Sequence, residues 1–385
     1  MIDDEAGPVL RLVKDLVAAP SRGGLDSYGP VIGVVEGWLR EHGLDPRVLR
    51  DGAGAEVAVV CEVVGRRPGP RLVLDACLDT APFGDESAWS SPPAIPVERD
   101  GWLYGRGTAD SKTAVAVFCH IAARVLEGRD RLAGTLVLLF DLDEHTGGFG
   151  GAKAYFESAE KPAGVIIGYP GIDTLVVGGR GVHRVRLHVH GVASHSGGRA
   201  ATPNAIVKAA GLVAALSATK ALDGTGAKLT VTEIGGGQGF SVTPDRCSVG
   251  VDVRTTADFG DDDAHRLLEA VAHAVDRDWP GTRPTTLEAV TSWPPYALAE
   301  GHPLPAAIRT AATRHGLALR TKVAGPSNIG NYLAGLGIPA TAGFGVDYRG
   351  LHGTDERIRV DAIPVVLAVY LDAVRALLSA PPECP

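Results

Sequence analysis

Four short segments gather residues able to hold a metal ion or move a proton. They are Asp75-Ala76-Cys77-Leu78-Asp79-Thr80, Gly105-Arg106-Gly107-Thr108-Ala109-Asp110-Ser111-Lys112, Asp141-Leu142-Asp143-Glu144-His145 and Leu351-His352-Gly353-Thr354-Asp355-Glu356. Carboxylates and imidazoles are the donors of catalytic zinc sites, in which three protein ligands leave one position open. A further carboxylate beside such a site can serve as general base. Taken alone, Asp110 reads first as a cap for the helix that follows its turn and second as a metal ligand. The Gly105-Arg106-Gly107 turn is not a dinucleotide fingerprint, because the third glycine is missing at the required offset and no apolar strand directly precedes it.

The elements that must position these residues follow from periodicity. Two amphipathic helices open the chain, carrying Val9, Leu12, Val13, Leu16 and then Val31, Ile32, Val35, Leu39. Apolar runs at Val57 to Val64, Arg71 to Cys77, Gly134 to Phe140 and Gly164 to Gly168 read as strands, alternating with helices from Ser111 to Glu127 and near Ala152. Nearly continuous apolar strands of this kind belong to a sheet covered on both faces. Cys77 to Asp79, Asp141 to His145 and Tyr169 then lie at strand C-terminal ends, where open α/β sheets place their sites. From about Val182 the order becomes strand, helix, strand, strand, helix, strand, a split βαβ unit. A helix near Leu304 to His315, strands at Ala318 to Val323 and Ile338 to Gly343, and a closing helix from Ala362 to Leu378 resume the first pattern. The expected fold is a discontinuous α/β domain of residues 1–181 and 292–385, with a smaller α+β (βαββαβ, ferredoxin-like) domain inserted at 182–291.

Composition narrows the partners. With 37 Lys and Arg against 45 Asp and Glu in 385 residues, the formal charge is −8, so no electrostatic footprint for nucleic acid or an anionic membrane exists. A small-molecule or peptide-like substrate is the expected partner. No apolar run is long enough to span a bilayer, and the acidic start Met1-Ile2-Asp3-Asp4-Glu5 lacks a basic n-region, which reads as a cytoplasmic protein. Cys61, Cys77, Cys119, Cys247 and Cys384 are odd in number and contain no C-x-x-C pair, arguing for reduced, mostly apolar roles.

Together, the order and spacing of these motifs resemble the dinuclear-zinc exopeptidase and deacylase superfamily that includes acetylornithine deacetylase, succinyl-diaminopimelate desuccinylase, glutamate carboxypeptidase and aminoacylase. The resemblance covers nearly the whole chain. It implies a catalytic domain with a mixed central sheet and an inserted lid or dimerisation domain. In that pattern an Asp in the glycine-rich turn bridges two metals about 3.5–4 Å apart, and it matches Asp110. The family's Glu-Glu pair reads Glu144-His145, its C-terminal His is His352, its His-x-Asp reads Cys77-Leu78-Asp79, and its later carboxylate reads Tyr169. The first metal's shell thus becomes Cys77, Asp110 and Tyr169, a poor zinc site, since a neutral phenol must be deprotonated from a pKa of about 10 to bind well. Asp110, His145 and His352 remain a competent site for one zinc per chain, or a facial triad for iron or another divalent metal.

The resemblance also implies further roles. Glu144 is the general base, Asp79 the group orienting the first ligand and here facing a thiol, and His195 in Gly191-Val192-Ala193-Ser194-His195-Ser196-Gly197 the lid histidine that reaches a partner subunit's site in a homodimer and polarises the carbonyl. Ser241, Arg254 and Asn328 are expected substrate contacts, with a structural salt bridge open for Arg254 and a turn-shaping role for Asn328. Cys77 is read equally as a small buried residue or as a metal-binding or nucleophilic thiolate. His183, His188 and His190 read as surface or dimer-edge residues. The implied reaction is metal-dependent hydrolysis of an amide in an N-acyl amino acid or small peptide-like substrate. The three altered positions leave two alternatives: a remodelled site running amide formation, cyclisation, elimination or redox chemistry in biosynthesis, and a metal-free binding protein.

Overall fold

The computed structural model describes residues 6–199 and 201–379; Met1 to Glu5 and Cys384, both used above, lie outside the described residues. The chain divides into two compact units, one of residues 1–178, 298–322 and 336–385 and the other of residues 179–297 and 323–335.

The first unit is built on a six-stranded mixed sheet. Its strands run in the order Pro46–Arg50, Glu56–Val64, Ala133–Asp141, Arg67–Cys77, Gly164–Ile167 and Ala340–Thr341. The first three pair antiparallel and the last four, counted from Ala133–Asp141, pair parallel. Ala133–Asp141 and Gly164–Ile167 are buried almost throughout, as strands covered on both faces must be. On one face, helices Ala6–Val17, Thr113–Glu127 and Ile363–Leu377 bury Leu12, Leu16, Phe118, Ile121, Val366 and Tyr370 against Leu72, Leu74, Leu136 and Leu138. The approach is close at Gly168, where an added Cβ would lie 2.4 Å from the Ala114 Cβ. A small antiparallel sheet of Val97–Arg99, Trp102–Tyr104, Arg357–Arg359 and Tyr348–Arg349 flanks this core. The expected strand at Ile338 to Gly343 is short, with only Ala340–Thr341 laddered.

The second unit is a four-stranded antiparallel sheet in the order Lys228–Gly236, Arg246–Thr255, Gly181–His190, Thr286–Trp293. Arg246–Thr255 alternates buried and half-buried residues along its length, the period-two pattern of a sheet with one packed face. Helices Ala205–Ser217 and Asp261–Asp276 bury Ala209, Leu212, Leu268 and Ala272 against Leu187, Val189, Val249 and Val251. The chain order is βαββαβ. This unit also takes in residues 323–335, which the sequence pattern groups with the first. The reason is the helix Ile329–Gly335, whose Asn331 amide donates to the carbonyls of Arg180 and Pro294 at 3.0 and 2.8 Å. Among the described residues, no helix is long and apolar enough to cross a membrane.

Candidate metal centre

Seven of the residues singled out by spacing lie in the first unit, on the loops that leave its strands. Arg67–Cys77 ends at Cys77 and delivers Asp79, and Ala133–Asp141 delivers Glu144 and His145. Gly164–Ile167 delivers Tyr169, and the hairpin between Tyr348–Arg349 and Arg357–Arg359 carries His352. Asp110 sits in the turn Thr108–Lys112 ahead of helix Thr113–Glu127, across a cis peptide to Ser111.

The turn after Gly107 leaves no room for a side chain at that position: φ is 84° and an added Cβ would meet Thr80 Cγ2 at 2.6 Å. Beyond it, Lys112 is buried and its ammonium donates to the carbonyls of Leu16 and Ala19, both at 2.8 Å, tying the turn to the end of the first helix. The loop after Asp141 is fixed by that residue's own carboxylate, which accepts the Asp143 and Ala152 amides at 2.7 Å each.

A buried ion pair joins the segments that carry Asp110 and His352. Glu356 accepts from Arg106 Nη1 at 2.6 Å, and its other oxygen accepts the Ala109 and Asp110 amides at 2.8 and 3.2 Å. Arg106 Nη2 donates to the carbonyls of His352 and Gly353 at 3.2 and 3.1 Å. His352 has φ of 58°, a left-handed conformation uncommon outside glycine, and these bonds help hold it there. The sequence reading contained Arg106 and Glu356 inside its motifs but gave them no role.

Asp110, His145 and His352 converge. His352 Nε2 lies 2.8 Å from Asp110 Oδ2, His145 Nε2 lies 3.7 Å from the same oxygen, and the two imidazole rings are 5.1 Å apart. One ligand atom from each of the three falls within 4.8 Å of the others, and the same holds for Cys77, Asp79 and His145. The His145 side chain is 5% exposed, yet neither ring nitrogen has a hydrogen-bond partner. A buried imidazole that makes no hydrogen bond and lies 3.4 to 3.7 Å from carboxylates offers, with them, the donors a cation takes. A zinc-type ion therefore fits the Asp110–His145–His352 set in donor chemistry and in spacing. A second carboxylate–imidazole site of the same kind does not, because Cys77 and Tyr169 stand where its ligands would be.

Asp79 does more than face the thiol. Its oxygens accept the Glu144 and His145 amides at 3.3 and 2.8 Å and lie 3.4 Å from His145 Nδ1, so it supports the segment bearing Glu144 and His145. Cys77 Sγ sits 3.1 Å from Ser111 Oγ and 3.5 Å from Asp110 Oδ1.

The charges around the centre set the protonation states. Burial alone would raise Asp110, but the His145 and His352 imidazoles beside it outweigh burial and hold the carboxyl well below its ordinary range. Burial and the Asp110 charge push Glu144 up, to about 8. Burial would lower His145, but the anionic groups around it hold it above the usual imidazole range. Burial, with Asp110 and Glu144 nearby, raises the Tyr169 hydroxyl, and burial beside Asp110 raises the Cys77 thiol.

The remaining expected residues lie in the second unit. His195, on the short strand Ser194–His195, accepts the Gly197 amide at Nδ1 (3.0 Å), which assigns its proton to Nε2 and leaves that nitrogen a donor. The Ser241 carbonyl accepts the Ser196 amide at 2.9 Å. Arg254 engages Asp252 through Nε and Nη2 at 2.8 and 3.2 Å and Ser327 through Nη1 at 3.2 Å, the salt bridge left open by the sequence. Asn328 Oδ1 accepts the Gly330 amide at 2.8 Å, shaping the start of a helix. His188 pairs with Glu288 on the sheet, and His183 contacts Ser292.

The chain is similar to known proteins over most of its length. The pattern of peptidase family M20/M25/M40 matches residues 73–376. A succinyl-diaminopimelate desuccinylase of Stenotrophomonas maltophilia is 31% identical over 324 residues, covering 80% of this chain and 84% of that one. Among solved structures, a Staphylococcus aureus tripeptidase superposes with a TM-score of 0.78 at 19% identity, covering 97% of this chain and 99% of that one. A Bacillus subtilis protein described as a dinuclear metal-binding peptidase of the M20 family gives 0.73 at 17%, covering 97% and 98%.

Proposed function

The chain belongs to peptidase family M20/M25/M40, a family of metal-dependent hydrolytic enzymes, and from that premise we propose that it hydrolyses the amide bond of an N-acyl amino acid or small peptide-like substrate with one metal ion per chain. The observation that carries the reading is the buried His145, which makes no hydrogen bond at either nitrogen and stands between Asp79 and an Asp110 already bonded to His352. In this reading Asp110, His145 and His352 hold the ion, zinc by preference for two imidazoles and a carboxylate. Bound there, it would act as a Lewis acid on the scissile carbonyl and make water a better nucleophile.

The chain's own residues do the rest. Glu144, in its ionised form, takes the proton of the attacking water and passes it to the leaving amine; burial and the Asp110 charge, which raise its pKa, make that carboxylate a stronger base. Asp79 holds the Glu144-His145 backbone in register through its two amide bonds. The Tyr169 hydroxyl, kept neutral by burial, lines the half of the centre that the missing ligands vacate. His195 offers its Nε2 proton to the carbonyl oxygen as charge develops there, serving the site of a second copy in a homodimer formed through the second unit. Ser241, Arg254 and Asn328 are the proposed substrate contacts on that unit, and the cytoplasm is the proposed compartment.

The matched relative named as a desuccinylase directs the substrate search to N-succinyl and other N-acyl amino acids, alongside dipeptides. With zinc supplied, release of free amine from one of these is expected, and Glu144→Gln should abolish it while leaving zinc bound. Turnover that survives Glu144→Gln, or no hydrolysis across the panel by zinc-loaded protein, would contradict the reading.

A further inference from the structure

We propose that Cys77, Asp79 and His145 form a second cation site, soft in character, which shares the His145 imidazole with the Asp110–His352 site and takes a thiophilic divalent ion such as cadmium. The inference goes beyond the hydrolytic reading and depends on it only through that shared ring.

One ligand atom from each of the three residues lies within 4.8 Å of the other two. Zinc bonds of about 2.0–2.3 Å to N, O and S place tetrahedral donors about 3.3–3.8 Å apart, and a larger thiophilic ion spreads them somewhat further. The Asp79 Oδ1 to His145 Nδ1 distance of 3.4 Å is already such an edge. Asp79 is fully buried and spends one lone pair per oxygen on the Glu144 and His145 amides, so each oxygen keeps a second lone pair. His145 supplies the independent sign of a ligand: its side chain is 5% exposed and its Nδ1, on the Asp79 side, has no hydrogen-bond partner.

The two faces of the ring address different chemistry. Nε2 looks to Asp110 at 3.7 Å and Nδ1 to Asp79 at 3.4 Å. The first set offers two nitrogens and an oxygen, the second a sulfur, a nitrogen and an oxygen. Thiolate donors favour softer ions and carboxylate or imidazole donors the harder or borderline ones. A neutral imidazole has a lone pair at only one of its two nitrogens, so one ion occupies the centre at a time, and its softness decides where it sits. As the metal–sulfur bond forms, the thiol proton leaves to solvent.

The test is cadmium titration of the purified full-length chain, followed by the near-ultraviolet thiolate-to-cadmium charge-transfer band. One equivalent of band is expected in wild type, lost in Cys77→Ser, lost in His145→Ala and retained in His352→Ala; His352→Gln substitutes if the alanine variant does not fold. A band indifferent to Cys77→Ser comes from the other cysteines and overturns the proposal. A band lost in the folded His352 variant puts the thiol in the Asp110–His352 set and also overturns it. Failure of the hydrolytic reading would appear differently, as absent turnover with the Cys77-dependent band intact.

Discussion

Arg106 and Glu356 are 250 positions apart, yet their buried pair ties the Asp110 turn to the His352 loop. Groups that orient metal ligands from behind commonly cost about 10–100-fold in metal affinity when altered. Glu356→Gln is therefore expected to weaken zinc binding by about that factor in chelator competition; unchanged affinity would mean Asp110 and His352 hold their places without the pair. The pairing was not legible in the sequence, because a single chain gives no sign that an arginine in one motif meets a glutamate in another. The proposed ligands Asp110, His145 and His352 and the proposed base Glu144 can be singled out in the sequence, since each follows a recognisable turn or strand end. Asp79 was read for one neighbour, the thiol, whereas its amide bonds to Glu144 and His145 come from a loop whose path only the fold defines.

At the scale of elements, the long apolar strands and amphipathic helices declare themselves by periodicity, and the βαββαβ order of the second unit follows the alternation of buried residues in strands such as Arg246–Thr255. Short ladders escape the same reasoning: Val97–Arg99, Trp102–Tyr104, Tyr348–Arg349 and Arg357–Arg359 hold two or three residues each, too few to show a period. Helix Ile329–Gly335 was missed for a related reason, being seven residues long. Two predictions belong here. Gly168→Ala forces its Cβ against Ala114 and should cost about 1–3 kcal/mol in denaturant unfolding, as overpacking does; an unchanged midpoint would show that helix Thr113–Glu127 can retreat freely. In that helix His120 packs against Trp38, their ring centroids 4.6 Å apart, and burial lowers its pKa from 6.5 to about 4. The unfolded chain takes up that proton first, so stability should fall as pH drops from about 6.5 to 4. His120→Leu should flatten part of the fall in thermal melts, and an identical pH profile would exclude the histidine as its source.

At the scale of the whole molecule, the proposed dimer gives His195 a role that can be tested by mixing inactive chains. If His195 of one copy serves the Glu144 site of the other, His195→Ala and Glu144→Gln chains exchanged in equal amounts should regain about a quarter of wild-type activity, because half the dimers are mixed and each carries one complete site. No recovery after demonstrated subunit exchange would place His195 outside that role. The central claim, a single ion held by Asp110, His145 and His352 where the similar Bacillus subtilis protein is described as dinuclear, is tested most directly by metal stoichiometry. Elemental mass spectrometry of protein purified without chelator or added metal should find about one zinc per chain, lost in folded His145→Ala. About two ions per chain, or zinc that survives the loss of His145, would contradict it.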